Sequence, residues 1–299
     1  MKILLFGKNG QVGRELQRSL APLGTVVALG SGDRSPLCGN LTDLDGLAQT
    51  VRAVSPDVIV NAAAYTAVDK AESERDLARL VNAQAPGVMA QEVQKCGAWL
   101  VHYSSDYVFD GSGVKPWQET DAPHPVNFYG QTKLEGERAI QAAGCRHLIF
   151  RSSWIYAAHG QNFIKTMLRL AQEREQLKVV DDQIGAPTGA ELVADVTAQA
   201  LQTVGQKPEA GGLYHLSAAG ETSWYDYTRF ILDYARQSGM KVRVAPEAIL
   251  PVPSTEFPAP AQRPHNSRLD CTKLQQAFGL TLPEWQIGVK RTLDQLLKG

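Results

Sequence analysis

The first thirteen residues constrain the fold of this chain more than any other segment. An apolar run, residues 1–6, leads directly into Gly7-Lys8-Asn9-Gly10-Gln11-Val12-Gly13, a Gly-x-x-Gly-x-x-Gly pattern. Glycines let the backbone turn tightly off a strand and approach a pyrophosphate closely. The amphipathic run over residues 11–20 predicts a helix whose N-terminus faces those phosphates. A strand, a glycine turn and a helix in this order predict a dinucleotide-binding βα unit.

Further apolar runs alternate with helical patterns and extend this unit into a sheet. We predict strands at Lys2–Phe6, Thr25–Leu29, Asp57–Asn61, Trp99–Tyr103 and His147–Arg151, with helices at Leu44–Val54, Asp76–Lys95 and Val126–Ala142. The runs are nearly all apolar, as in strands that a parallel sheet buries on both faces. The pattern predicts an α/β fold with a Rossmann doubly wound parallel sheet. Ligands should bind at the carboxyl ends of its strands, where Gly7, Asn61 and Ser104 lie.

The alternation of apolar runs and helical patterns changes after about Ser152. Gly212–Ser217 is predicted to add one more parallel strand, whereas the prolines across Ala245–Pro264 predict an ordered loop that lines a site. We therefore expect residues 1–153 and about 186–218 to form the dinucleotide-binding domain. Residues of about 154–185 together with 219–299 should form a smaller C-terminal substrate-binding lobe.

Composition excludes several classes of function. The chain has 30 Lys and Arg against 31 Asp and Glu, without a basic run, so nucleic acids and membrane surfaces are not expected partners. No apolar run approaches the roughly 20 residues of a membrane span, and no leader pattern is present. The four cysteines lie far apart and read as reduced thiols, so we expect a cytoplasmic protein. The histidines do not show zinc-ligand spacing.

One Tyr-x-x-x-Lys sequence occurs in the chain, from Tyr129 to Lys133, within a predicted helix. On a helix, the two side chains share a face one turn apart. Tyrosine ordinarily titrates near pH 10, and an ammonium nearby favours the phenolate and lowers that pKa. A phenol tuned in this way is suited to donate a proton to a carbonyl oxygen while a hydride reaches the carbon. The alternative is an exposed Tyr–Lys pair on a solvated helix face.

Two hydroxyls, Ser104 and Ser105, follow the predicted strand at Trp99–Tyr103. A hydroxyl at the carboxyl end of a parallel strand can hydrogen-bond a substrate oxygen, and such a bond is worth more in a dry site than in water. The alternative is a hydroxyl turn that caps the local backbone.

Taken together, these elements resemble the extended short-chain dehydrogenase/reductases and, more closely, the dTDP-4-dehydrorhamnose reductase family. The resembling segments follow one another along nearly the whole chain: residues 6–13, 61–72, 104–111, 127–133, 151–156, 182–188 and 263–267. The resemblance implies NADPH- or NADH-dependent reduction of the 4-keto group of dTDP-6-deoxy-L-lyxo-4-hexulose. The product, dTDP-L-rhamnose, serves surface polysaccharide and lipopolysaccharide biosynthesis. A homodimer is also expected.

The resemblance also implies residue roles. Tyr129 would be the proton donor, Lys133 its pKa modulator and ribose anchor, and Ser105 the catalytic hydroxyl, which is more often threonine in the family. Asp106 and Trp154 match substrate-side positions, and we expect Arg263 on the proline-rich loop to bind the diphosphate. Other cofactor contacts are expected at Gly7, Gly10, Gln11, Val12, Gly13, Asn40, Leu41, Ala63, Ala64, Tyr65 and Tyr103. Asn40 departs from the acidic residue that is usual in the family.

Two further expectations concern charge. The second strand ends at Gly30, without the acid that would bind an adenosine 2′-hydroxyl, whereas Ser31 and Arg34 follow and could meet a 2′-phosphate. We therefore expect NADPH to be accepted at least as well as NADH. Some members of the family carry Mg²⁺ on acidic side chains, and Glu15 and Glu191 match those positions; exposed helix charge is the alternative.

Two other functions compete with the reductase. A sugar-nucleotide dehydratase or epimerase shares the fold, but a dehydratase would typically need Glu after Asp106, where this chain has Tyr107. A non-catalytic regulatory subunit, such as that of methionine adenosyltransferase, also resembles this family. The intact set of Ser105, Tyr129 and Lys133 favours an enzyme, because a binding module has no need of a tuned phenol.

Overall fold

The computed structural model describes residues 1–298. Its strands are β1 Lys2–Phe6, β2 Thr25–Leu29, β3 Val58–Asn61, β4 Trp99–Ser105, β5 Arg146–Ser152, β6 Ile155–Tyr156, β7 Leu177–Val180, β8 Ile184–Gly185, β9 Thr188–Gly189, β10 Gly212–His215, β11 Thr222–Ser223 and β12 Ile249–Val252. Its α-helices are α1 Gln11–Leu20, α2 Leu44–Val54, α3 Val68–Ala71, α4 Arg75–Arg79, α5 Ala85–Cys96, α6 Phe128–Ala142, α7 Phe163–Glu173, α8 Ala190–Gln206, α9 Trp224–Gln237, α10 Thr272–Phe278 and α11 Trp285–Lys298.

A central sheet of six parallel strands, in the order β10-β5-β4-β3-β1-β2, confirms the predicted fold class. The chain starts near one edge, moves outward to β2, and then crosses back over β1 to β3, β4, β5 and β10. The reversal beside β1 is the switch point at which doubly wound sheets bind their ligands.

The sheet is buried on both faces because successive side chains of a strand point to opposite sides. In β1, Ile3 and Leu5 join a core cluster with α1, α8 and α10, whereas Leu4 and Phe6 join a second cluster with α2, α5 and α6. All four side chains are fully buried. The apolar run in the sequence is thus continuous because neither face of β1 meets water.

A third cluster packs outside the sheet. Helices α7, α9 and α11 bury their apolar faces against β7 and β12, around Tyr227, Ile231 and Trp285. Its residues come from 156–293, which includes most of the predicted substrate-binding lobe. The division into two domains stays a prediction. Within residues 1–298, no helix is both long and apolar enough to cross a membrane.

Two predicted segments differ from the structure. The helix predicted at Asp76–Lys95 is divided into α4 and α5 by a π-helical turn at Leu80–Gln84. Pro86 lacks an N–H for the i→i−4 hydrogen bond, which accounts for the local change of helix type. The proline-rich segment Ala245–Pro264 contains the short strand β12, which pairs in parallel with β7.

Candidate active site

The glycine turn after β1 forms a close-packed cradle. Gly7 has φ +89°, and a Cβ there would lie 2.7 Å from the carbonyl carbon of Ala62. A Cβ on Gly13 would lie 2.0 Å from the carbonyl oxygen of Gly7. Because the N-cap residue Gly10 has no side chain, it leaves the first N–H groups of α1 uncapped. Uncapped N–H groups at a helix N-terminus suit the pyrophosphate of a dinucleotide.

Helix α6 carries both members of the Tyr-x-x-x-Lys sequence into the protein. Asn127 starts the helix, since its side chain accepts a hydrogen bond from Gly130 N at 2.8 Å. Lys133 is only 2% exposed, and its Nζ donates to the Tyr103 carbonyl oxygen at 2.6 Å. Burial lowers the pKa of Lys133 to about 8, which still leaves the ammonium charged at neutral pH. The alternative of a solvated Tyr–Lys pair is therefore wrong for Lys133.

Tyr129 meets a polar group from the end of β4. Hydrogen bonding between Tyr129 and Ser105 favours the phenolate, but burial, followed by the charge of Asp106, raises the pKa of Tyr129 to about 12. Lys133 Nζ donates to Tyr103 O instead, so the expected lowering of the Tyr129 pKa by Lys133 is not seen. The phenol therefore holds its proton at neutral pH.

Asp106 completes this cluster. The side chain is 2% exposed, and Ser105 Oγ donates to its Oδ1 at 2.9 Å. Burial raises the pKa of Asp106 to about 6, although hydrogen bonds from Ser267 and Ser105 oppose the shift. Its Oδ2 is buried and has no hydrogen-bond partner within the described part of the chain. A buried carboxyl oxygen without a partner is suited to accept a hydrogen bond from a ligand hydroxyl.

Trp154 has an unusual backbone for a large side chain, with φ +48°. Its ring stacks on Trp224 with centroids 3.5 Å apart and planes 11° from parallel. A Cβ on Gly185 would approach the Trp154 ring to 2.8 Å, so the sequence leaves room for the indole at this point. Backbone strain of this kind clusters at functional sites.

A cavity of about 610 Å³ adjoins Trp224, the stacking partner of Trp154, and is lined largely by apolar side chains. Arg263 lies on its wall, where Nη2 donates to Asp69 Oδ2 at 2.8 Å. Its Nη1 is buried without a partner among residues 1–298. The cavity thus combines apolar surface with an incompletely paired guanidinium, a combination that suits a base and a phosphate group.

The remaining predicted cofactor positions differ in how close they lie to the glycine cradle. Ala63 lies beside Gly7, since a Cβ on Gly7 would be 2.7 Å from Ala63 N, and Ala64 and Tyr65 follow, both half-buried. Ser31 and Arg34 are exposed beyond β2. The Tyr103 hydroxyl shares a hydrogen bond with Thr197 of α8, so its backbone carbonyl is the part beside Lys133.

The side chains at three other predicted cofactor positions are engaged in contacts within the protein. Asn40 uses its side-chain oxygen to accept from Thr42 N at 3.2 Å, and Leu41 is buried in the core beside β2. Gln11 accepts through Oε1 a hydrogen bond from Asn162 Nδ2 at 3.0 Å, which ties α1 to the segment before α7. The backbone N–H groups of Gln11 and Val12 remain the parts that face the glycine cradle.

The two glutamates predicted for Mg²⁺ line one smaller cavity but do not fit that ion. Arg291 Nη1 binds Glu191 at 3.1 Å, and Arg18 Nε lies 3.4 Å from Glu15. Across residues 1–298, no group of three or more His, Cys, Asp or Glu side chains could hold a metal ion. Guanidinium groups already supply positive charge beside these carboxylates, so the structure gives the magnesium prediction no support.

The sequence did not predict a role for three residues at these sites. Trp224 stacks on Trp154 but lies in no recognised motif. Ser267 lies in the resembling segment 263–267, yet its link to Asp106 depends on tertiary structure. Lys8 lies inside the glycine pattern, but that pattern predicts no role for it.

Comparison with known proteins identifies the family. A family model described as the RmlD substrate binding domain matches residues 1–298. The dTDP-4-dehydrorhamnose reductase of Escherichia coli K12 is 55% identical over 296 residues, covering 99% of this chain and 98% of that protein. The protein of the same name from Burkholderia thailandensis is 47% identical over 304 residues, covering 99% of each chain.

Solved structures agree with these relatives. The dTDP-4-dehydrorhamnose reductase of Clostridium acetobutylicum is 35% identical with a TM-score of 0.88, covering 99% of each chain. The enzyme of that name from Bacillus anthracis, solved in complex with NADP, is 34% identical with a TM-score of 0.86, covering 98% of this chain and 99% of that one. This chain belongs to the dTDP-4-dehydrorhamnose reductase family.

Proposed function

We propose that this protein uses NADPH or NADH to reduce the 4-keto group of dTDP-6-deoxy-L-lyxo-4-hexulose, giving dTDP-L-rhamnose. The observation that carries the proposal is the cluster of half-buried Tyr129 with buried Ser105 and Asp106 at the carboxyl end of β4, with buried Lys133 one turn along α6. The names of the relatives support the substrate class, and the NADP complex of one relative supports the cofactor.

The protein's part in the reaction is to hold the ketone and deliver a proton. Tyr129, protonated because burial raises its pKa, donates its phenolic proton to the carbonyl oxygen, and Ser105 Oγ hydrogen-bonds the same oxygen. Ser105 and Asp106 are buried, and exclusion of water at a site of this kind strengthens hydrogen bonds to the carbonyl oxygen. The bound nicotinamide supplies the hydride for C4 and, once oxidised, a positive charge. Lys133 adds a second positive charge that favours the phenolate left after proton transfer.

The cradle and the larger cavity divide the ligands between them. The N–H groups at the start of α1 and the Gly7–Gly13 turn suit the cofactor pyrophosphate. The Trp154 indole offers a flat apolar surface to the sugar ring. The cavity of about 610 Å³ suits the nucleotide, whose diphosphate would meet Arg263.

The experiment is to mix the purified protein with NADPH and the 4-keto sugar nucleotide and to follow NADPH absorbance and product together. Reduction requires one NADPH consumed for each dTDP-L-rhamnose formed. An epimerase or a dehydratase would change the sugar without net consumption of NADPH. A regulatory subunit would bind the cofactor without turnover. Either outcome would contradict the proposal.

The wider setting follows from the resemblance. We expect the product to supply surface polysaccharide, including lipopolysaccharide, and we expect the enzyme to act as a homodimer in the cytoplasm. Four free cysteines, three of them buried, fit a reducing compartment. Analytical ultracentrifugation of the purified protein tests the dimer.

A further inference from the structure

An ion pair lies at the carboxyl end of β2, beside the glycine cradle. Lys8 Nζ is 2.6 Å from Asp33 Oδ2, and the two side chains are 32% and 37% exposed. The same Asp33 oxygen accepts a hydrogen bond from Gly30 N at 2.8 Å. Neither residue belongs to the cluster that handles the ketone.

The local backbone positions this pair. A Cβ on Gly30 would lie 2.9 Å from Asn9 Nδ2 and 3.5 Å from Lys8 Cε, so the missing side chain makes room for Lys8 to cross the strand end. Lys8 N and Gly7 N both donate to Leu29 O, at 3.1 and 2.9 Å. Asp33 N donates to Gly30 O at 3.0 Å and closes the turn that carries the carboxylate. The two charges are thus fixed to adjacent turns of the Rossmann sheet.

This place in the sheet has a defined meaning for a dinucleotide. The carboxyl end of the second strand faces the adenosine ribose, where a carboxylate binds a 2′-hydroxyl and a basic group accommodates a 2′-phosphate. Here one group of each kind is present, and each is the other's partner. A carboxylate alone would repel the phosphate, and an ammonium alone would leave the hydroxyl without a charged acceptor.

We propose that the Lys8–Asp33 pair is a charge switch that lets one site accept either NADPH or NADH. With NADH, Asp33 accepts the 2′-hydroxyl while Lys8 remains on the carboxylate. With NADPH, Lys8 leaves Asp33 and binds the 2′-phosphate, while Asp33 keeps its hydrogen bond from Gly30 N. Lys8 is then the principal phosphate-binding residue, and the exposed Arg34 is secondary. The inference rests on the proposed function only in requiring a nicotinamide dinucleotide.

The test uses binding of two fragments to the cofactor-free protein, so it is independent of whether the ketone is reduced. Calorimetry compares ADP-ribose with 2′-phospho-ADP-ribose for the wild type, Lys8→Met, Asp33→Asn, the double variant and Lys8→Arg. Lys8→Met should weaken the phosphorylated fragment on the order of tenfold and leave ADP-ribose within about threefold. Asp33→Asn should tighten the phosphorylated fragment and weaken ADP-ribose, with a change of about tenfold in their ratio.

The other variants and a melting measurement separate selectivity from structure. Lys8→Arg keeps the charge and should keep both affinities, and the double variant should bind the two fragments with a ratio between those of the single variants. If Lys8→Met and Asp33→Asn each change both fragments by the same factor, with lower melting temperatures, the pair only braces the turn and the proposal is wrong. Wild-type protein that binds neither fragment would likewise overturn it.

Discussion

At the residue scale, the chemistry depends on a phenol that keeps its proton until the ketone receives a hydride. Burial, which raises the pKa of Tyr129 to about 12, holds the donor form across the physiological range. Tyr129→Phe removes this proton and little volume, so kcat should fall by at least about 100-fold, the loss expected when a general acid is removed. Fluorescence titration should give an unchanged Kd for NADPH. A variant that retains more than about a tenth of the wild-type kcat would assign the proton to another group.

Asp106, in the same cluster, links function to pH-dependent stability. Its folded pKa of about 6 exceeds its ordinary value of 3.8 because the carboxyl is buried. The folded state therefore binds the proton more tightly than the unfolded state, and this stability is complete below pH 3.8 and is lost as pH rises through 6. At pH 8 the loss reaches about 3 kcal/mol of unfolding free energy.

Asp106→Asn keeps the shape without the charge. Urea unfolding should therefore show a variant that gains stability over the wild type at pH 8 but not at pH 4. An equal difference at both pH values would mean that the carboxylate is not the destabilising group. Activity should fall in the same variant, since a hydrogen bond from a ligand hydroxyl to an amide oxygen is weaker than one to a carboxylate oxygen.

At the scale of elements, the loop from Pro251 to Ser267 joins the two ligand regions, and we predict that it closes over the sugar nucleotide. Ser254 N donates to the Asp182 carboxylate at 3.0 Å, and Asn127 Nδ2 donates to Gln262 O at 2.7 Å, so the loop is anchored at both ends. Arg263 directly follows the second anchor, Gln262, and its Nη1 is unpaired among the described residues. The prolines of the loop restrict its conformations before closure, so less conformational entropy is lost when it closes.

Arg263→Ala should raise KM for the sugar nucleotide on the order of tenfold, because a charge-assisted hydrogen bond to the diphosphate is lost. The matched control is Asp69→Asn, which weakens the tie between Arg263 and the body of the protein but keeps the guanidinium. If Arg263 only braces the loop, both variants will lower the melting temperature and leave KM unchanged. That pattern would remove the diphosphate role.

Sequence patterns predicted the strands and helices better than the breaks within them. The glycine pattern and the buried apolar runs predicted β1 to β5 within one or two residues, because the central residues of strands that are covered on both faces are nearly all apolar. The division between α4 and α5 was not predicted, since the helical periodicity continues across it and only Pro86 signals the change. The Trp154–Trp224 stack was also beyond reach, because its two rings come from segments 70 residues apart and meet only in the folded lobe.

At the scale of the whole molecule, the six-stranded sheet presents the cofactor cradle and the Tyr129 cluster along one edge. The predicted site residues around Tyr129, Ser105 and Asp106 meet there because parallel strands bring their carboxyl ends together. The predicted Mg²⁺ site has no such support. The resemblance supplied Glu15 and Glu191 without their surroundings: Arg18 follows Glu15 by one turn on α1, and Arg291 reaches Glu191 from α11.

The most direct test of the central claim follows the hydride itself. The purified protein is incubated with the 4-keto sugar nucleotide and NADPH that carries deuterium at the transferred position of the nicotinamide. We expect dTDP-L-rhamnose with deuterium on C4 of the sugar, one deuteron for each NADPH oxidised, and almost no product from Tyr129→Phe. Product without deuterium at C4, or turnover in which NADPH keeps its deuterium, would contradict direct reduction of the ketone at this site.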